Sequence, residues 1–334
     1  MNPPVRRRGL YLPFILLGLL IAAYSAYWLW ARSQLNAAVD GWIAAQRSAG
    51  LEVGYERRQL GGYPYRFALR VEAPRLSNPR TGQSWQGERL DLVMQPWNWR
   101  HVILRAPGMN RIETGLDVLE LDVGTGSAAS VSWTEAGLRR ASLAFDEVSM
   151  RRDGGPVLSG DGVELHLRPP PGAPDLLQIQ ASWQGVTLAE QVPDLAFLGR
   201  DLGPSILRLE ATKAWRALET ATNLSEVPDV LLALGGEVRV PQLVLDWGPA
   251  RLGAKGQISQ AADGTFVGDL ALRLEEAEAL LDALRQSDRL TPELERGIQA
   301  VSAASRDGRF LQLSVRDGGI YFLGQRVADV PDPA

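Results

Sequence analysis

Tyr65-Arg66-Phe67-Ala68-Leu69-Arg70-Val71-Glu72-Ala73 sets an apolar residue at every second position, with Arg66, Ala68, Arg70 and Glu72 between them. Successive side chains of an extended chain point to opposite faces, so a period of two marks a strand with one dry and one wet face. The same alternation returns at Leu119, Leu121 and Val123, at Val163, Leu165 and Leu167, and at Leu177, Ile179, Ala181 and Trp183. It returns again at Leu270, Leu272 and Leu274 and at Leu311, Leu313 and Val315. Glycine-rich punctuation separates the runs, as in Arg152-Asp153-Gly154-Gly155 and Asp317-Gly318-Gly319, and supplies turns. The chain from Leu51 onward is therefore expected to be mainly β, an antiparallel body with a minor α component.

Outward from this body toward the N-terminus the pattern changes. Leu10 to Trp30 holds no charged side chain. At about 1.5 Å per residue it makes a helix of about 31 Å, which matches a hydrocarbon core of about 30 Å. Arg6, Arg7 and Arg8 precede it and the next basic residue is Arg32. The positive-inside rule then puts residues 1–9 in the cytoplasm and the body outside it. Leu10 opens the span, and Tyr24, Tyr27, Trp28 and Trp30 crowd its far end, where amphipathic rings favour the headgroup layer. A cleaved signal peptide would carry a shorter apolar region and small residues at its end, so 10–30 reads as a retained transmembrane anchor. The implied location is the inner membrane, single-pass, with the body in the periplasm.

Residues 31–50 continue as a juxtamembrane helix, with Leu35, Val39, Trp42 and Ile43 at helical spacing and Gly50 as its stop. Its charges are few and balanced, which favours a stalk packed on the β body over a helix lying on the membrane. Further helices are expected at Glu275–Arg285, from Thr291 with Pro292 at the first helical position, and at Ala214–Ala221. The run Pro169-Pro170-Pro171-Gly172-Ala173-Pro174 fits neither helix nor central strand. It suggests a seam between a first β-rich half, 51–168, and a second, 175–328.

Composition excludes several chemistries. The 334 residues are 45% hydrophobic and 22% charged, as in a folded protein. Formal net charge is −4, and Arg6, Arg7 and Arg8 contribute +3, so the remainder carries −7 and offers nucleic acid no basic face. There is no cysteine, hence no disulfide, thiolate metal site or cysteine nucleophile. Only His101 and His166 could serve histidine chemistry; both read as structural or solvated, although Glu164 shares a strand face with His166. Gly124-Thr125-Gly126-Ser127-Ala128-Ala129 resembles a dinucleotide loop, but the following Ser130-Val131-Ser132-Trp133 reads as strand, where that loop needs a helix. Asp153, Asp161, Asp263 and Asp317 neighbour glycines without the carboxylate spacing of a calcium loop. No catalytic residue, metal site or cofactor is expected. The ten tryptophans are expected mostly in the core.

Several short motifs carry a resemblance. Gly61-Gly62-Tyr63-Pro64-Tyr65-Arg66-Phe67 follows the anchor, then Trp85 with Leu90, then Pro96-Trp97-Asn98-Trp99-Arg100-His101-Val102-Ile103. Leu245-Asp246-Trp247-Gly248-Pro249-Ala250, Ala254-Lys255-Gly256 and Phe266-Val267-Gly268-Asp269-Leu270 come later. Together, over most of 35–325, they resemble the proteobacterial family catalogued as domain of unknown function 2125. The second half also resembles the AsmA-like envelope proteins. That resemblance implies an elongated, curved β-sheet and a tie to lipid or outer-membrane homeostasis. Neither resemblance implies a reaction.

The expected function is a non-enzymatic, membrane-anchored envelope protein that handles lipid through an apolar β groove, lined by Tyr65, Phe67, Leu69, Val71, Leu270 and Leu272. Alternatives are a scaffold or assembly factor with a closed core, and a hydrolase with an unrecognised site. Expected partners are the lipid bilayer and a lipid ligand or another envelope protein.

Overall fold

A computed structural model describes residues 8–329 apart from 136, 174, 192, 222–225, 261–264, 307–309, 317–318 and 323–324. Arg6, Arg7 and the Asp263 and Asp317 turns lie outside the described residues. The protein is mainly β, with one long apolar N-terminal helix and a few short ones. Contacts divide it into two compact units, 1–118 and 119–334.

In the first unit, α1 (Arg8–Ser48) is continuous, so anchor and juxtamembrane helix are one rod. From Tyr11 to Ile21 its large apolar side chains are exposed, as a lipid-facing helix requires. This stretch is long and apolar enough to cross a membrane. Gly50 ends the helix at φ +87°. The Leu51 N–H donates to Gln46 O and the Gly50 N–H to Arg47 O, both at 3.0 Å, a Schellman cap that satisfies the last carbonyls.

Two antiparallel strand groups follow. One is β2 (Arg57–Gly61), β3 (Phe67–Glu72), β6 (Arg89–Gln95) and β7 (Asn98–Arg105), in that order. The other is β1 (Glu52–Gly54), β4 (Arg75–Asn78), β5 (Gln83–Gly87) and β8 (Gly108–Glu113). The alternation that begins at Tyr65 survives in β3, where Phe67, Leu69 and Val71 are buried. They form a core with Trp28, Ala31 and Leu60, flanked by Leu35 and Val39. The upper half of α1 thus packs on the body as a stalk.

The second unit is an antiparallel meander. β9 (Val118–Val123) and β10 (Ala128–Thr134) both pair with the long β11 (Gly137–Arg152), which pairs with β12 (Gly155–Arg168). β13 (Leu176–Trp183) and β14 (Gly185–Leu188) lie along β12, followed by β16 (Ser205–Thr212) and β15 (Asp201–Leu202). Then come β17 (Glu237–Trp247), β18 (Ala250–Gln260), β19 (Phe266–Glu275), β20 (Leu311–Arg316), β21 (Gly319–Phe322) and β22 (Gln325–Asp329). Residues 169–173 of the proline run expected as a seam lie between β12 and β13, which pair with Arg168 opposite Gln178; Pro174 lies outside the described residues. A polyproline turn and a domain linker look alike in sequence because both avoid helix and ladder.

α2 (Ala214–Thr220) and α3 (Val227–Ala233) form the first helical excursion. Lys213 closes it by donating to Leu234 O and Gly235 O at 2.6 and 3.1 Å. The second excursion is α4 (Ala277–Gln286) and α5 (Pro292–Arg306). The Thr291 hydroxyl accepts the Leu294 N–H at 3.2 Å, the capping expected of it.

Candidate functional site

The first unit holds an apolar cavity of about 390 Å³ between the stalk and its strands. Helical spacing aims Val39, Trp42 and Ile43 at it from α1, and strand alternation aims Leu69 and Val71 from β3 and Leu90 and Leu92 from β6. Those strand residues face each other in register, Leu69 opposite Leu92 and Val71 opposite Leu90. Leu76 and Trp85, paired across β4 and β5, supply another wall. Arg58 and Arg75 are the charged residues of its lining; Arg58 Nη1 donates to Asp40 at 2.7 Å while its guanidinium stands 6.0 Å over the Tyr55 ring. The bonded guanidinium holds the Asp40 carboxyl below the usual carboxylate range. Trp42 stays 52% exposed at the rim.

In the second unit a continuous apolar row crosses nine strands. Ala129, Leu143, Leu165, Ala181, Leu207, Leu243, Ala254, Leu272 and Leu311 are successive cross-strand partners. All nine are half-buried; none is sealed and none is bare. On the same face, α2 and α3 cover Leu177 and Ala211, while α4, α5 and Phe197 cover Leu274. In register the row runs between these two covered patches. A bulge at Pro241-Gln242 keeps Val240 and Leu243 on one face, and places a residue without an N–H where the ladder is interrupted.

The opposite face is polar. Ser142, His166, Gln180 and Arg208 are successive partners, with His166 Nδ1 2.9 Å from the Ser142 hydroxyl. His166 Nε2 lies 3.1 Å from a Glu164 oxygen, and Arg140 Nη2 is 3.4 Å from Nδ1. A serine, an imidazole and a carboxylate in sequence invite a hydrolase reading. Ser142, however, has a paired strand on each side, so its backbone N–H is taken up in the sheet and makes no oxyanion hole of the kind acyl transfer requires. Ser142 was not singled out from sequence because cross-strand register is not written in local pattern.

The other expected residues fall out as follows. Leu69 and Val71 line the cavity, and Leu270 and Leu272 belong to the half-buried face of the second unit. Phe67 is 1% exposed beneath Trp28, and Tyr65 is 75% exposed outside the strand, so neither borders the cavity. Trp28, expected among headgroups, is 3% exposed while Trp30 is 59% exposed; the Phe67 ring captures the former. His101 is half-buried in β7. Trp97, Trp99 and Trp133 are exposed rather than core. Gly124–Ser127 is a turn, with the Gly126 N–H and Ser127 hydroxyl donating to Asp146 at 2.9 and 2.5 Å. These donors, the hydroxyl foremost, hold the Asp146 carboxyl below its usual range. No helix follows, so no pyrophosphate site exists there.

Two of the motifs behind the resemblance, 61–67 and 96–103, meet the N-terminal helix. The Tyr24 hydroxyl donates to Pro64 O, Ser25 Oγ lies 2.8 Å from the Tyr63 hydroxyl, and the Tyr27 hydroxyl donates to Pro96 O at 2.7 Å. Trp99 Nε1 in turn donates to Tyr27 at 3.3 Å. Comparison with curated proteins and with solved structures finds no match. A family profile described as "Uncharacterized protein conserved in bacteria (DUF2125)" matches residues 28–331, beginning at the docked Trp28, and the chain belongs to that family.

Proposed function

We propose that the protein is a non-enzymatic lipid-binding protein of the bacterial envelope, anchored in the inner membrane with its N-terminus in the cytoplasm and its body in the periplasm. One observation carries the lipid reading, the 390 Å³ cavity walled by aliphatic and tryptophan side chains. Its volume falls in the range of about 300–1,000 Å³ of small-molecule sites. An apolar cavity accepts apolar guests because water within it finds few hydrogen-bond partners. Chemistry of the walls selects an acyl chain; Arg58 and Arg75 in the lining suit a polar head. An AsmA-like second half would fit this reading, and its half-buried row offers a second surface for chains.

The test is mass spectrometry of lipid co-purifying with the detergent-extracted full-length chain. Ala38, exposed on α1 at the cavity edge, is the place to block entry. Ala38→Trp is expected to lower lipid occupancy roughly tenfold, a loss of about 1.4 kcal/mol. Its melting should stay within about 0.5 kcal/mol of wild type, as for other surface changes. His166→Ala should leave lipid content unchanged. A parent protein that carries no lipid would instead favour the scaffold reading.

The topology rests on Arg6, Arg7 and Arg8 before an uncharged span. An alkaline phosphatase fusion after Ala49 is expected to be active and a green fluorescent one dark. The reverse pattern would place the body in the cytoplasm.

A further inference from the structure

The bonds that dock α1 also fix the depth of two loop tips. Tyr24, Ser25 and Tyr27 hold Pro64, Tyr63 and Pro96 directly. These helix residues lie within the last six positions before Trp30, about 9 Å of helix at about 1.5 Å per residue. If the uncharged stretch spans the bilayer, the tips stand where hydrocarbon gives way to headgroups.

Each tip is two-sided. In the β6–β7 turn Pro96 is buried and the adjacent Trp97 is 63% exposed. In the Gly61–Phe67 segment Phe67 is buried, whereas Tyr63 and Tyr65 are 48% and 75% exposed. Gly62 permits this turn at φ +103°; a Cβ there would stand 2.5 Å from Arg66 O. Trp30 adds a fourth ring, 59% exposed. Four outward aromatic side chains at one depth are unfavourable against water. They match the interfacial layer, where a ring is half-desolvated and its N–H or O–H stays wet. Arg32 and Arg66, both exposed at the same end, can reach lipid phosphates.

We propose that the Tyr63–Tyr65 turn and the Pro96–Trp97 tip insert, with Trp30, into the headgroup layer of the leaflet from which α1 emerges. The first unit is then seated in the membrane by three points instead of hanging from a single helix. The inference rests on the anchor reading, and the partner is the lipid surface itself.

The absence of cysteine makes single-cysteine labelling free of background. Tyr65→Cys and Trp97→Cys carry a nitroxide in the full chain, reconstituted in phosphatidylcholine–phosphatidylglycerol vesicles. Thr81→Cys is the reference. Its β4–β5 turn is held at the far end of α1 by Arg80, which donates to Ala49 O at 2.9 Å, about 37 Å along the helix from Tyr24. Labels at 65 and 97 should collide with oxygen several-fold more, relative to a water-soluble nickel chelate, than the label at 81. In the unlabelled protein, lipids brominated near the headgroup should quench a fluorescence component that Trp97→Phe removes. A chain that floats with the vesicles while 65 and 97 are as nickel-accessible as 81, and Trp97 is unquenched, overturns the inference alone. A chain that does not float overturns the anchor and the inference together.

Discussion

Trp28→Ala is expected to destabilise the first unit by about 3–5 kcal/mol, the range for removing a large aromatic side chain from a core. Trp28 stacks on Phe67 with centroids 5.3 Å apart and planes 26° apart. It meets Tyr63 edge-on at 5.4 Å, and such pairs add about 0.5–1.5 kcal/mol beyond burial. With the ring gone, the links between helix and strands at this level include buried Ala31 and the Tyr24–Tyr63 ring contact, and the hydroxyl bonds of Tyr24, Ser25 and Tyr27. Each of these bonds contributes only about 0.5–1.5 kcal/mol. The indole Nε1 of Trp28 has no hydrogen-bond partner, so the site uses shape and not the N–H. Trp28→Phe should therefore recover most of the loss, leaving a deficit under about 1.5 kcal/mol, as for near-volume-conserving swaps. Thermal melting of the full chain in detergent measures both variants, and limited proteolysis near Gly50 reports whether the stalk has come away. An alanine variant that melts like wild type would mean that the helix is tethered to the body without being docked on it.

The strands were legible because one face of each is apolar, and an apolar face writes itself into sequence at a period of two. Phe67, Leu69 and Val71 keep that pattern because a helix lies over them. The stalk was legible for the matching reason, Leu35 and Val39 recurring on one side of α1. Depth was not legible. Nothing local distinguishes Phe67 from Tyr65, one residue apart on the alternation; the first is sealed by a ring from α1 and the second lies outside the strand. The cavity is a product of residues from α1 and all six strands β1–β6, and its size depends on side-chain volumes across chain distances that pattern cannot sum. Trp28 shows the same limit from the other direction. The end of α1 reads in sequence as a cluster of aromatic rings, but which ring is exposed and which is sealed against protein is decided by Phe67 and Tyr63, far along the chain.

Leu69 and Leu272 look alike in sequence, each the middle of an alternating triplet, yet opposite responses to charge are expected of them. Leu69 is 7% exposed between α1 and β6. Leu69→Glu puts a carboxylate into a wall that is 7% exposed and packed among Val71, Leu90 and Leu92, and burying a charge in such a wall ranks with the larger single-site penalties. The first unit should fail to fold cooperatively in the full chain, seen as loss of its melting transition. Leu272 sits in the half-buried row between Ala254 and Leu311. A glutamate there can turn its carboxylate toward solvent, so the expected loss is nearer the typical 0.5–3 kcal/mol of ordinary substitutions. The same charge would still spoil the face for an acyl chain, which cannot solvate it. Leu272→Glu should therefore melt as a folded protein while carrying less co-purifying lipid, and Leu207→Glu, two strands along the row from Ala254, should behave alike. If Leu272→Glu and Leu207→Glu collapse as Leu69→Glu does, the row is a sealed core, and the second unit has no open apolar face with which to hold lipid.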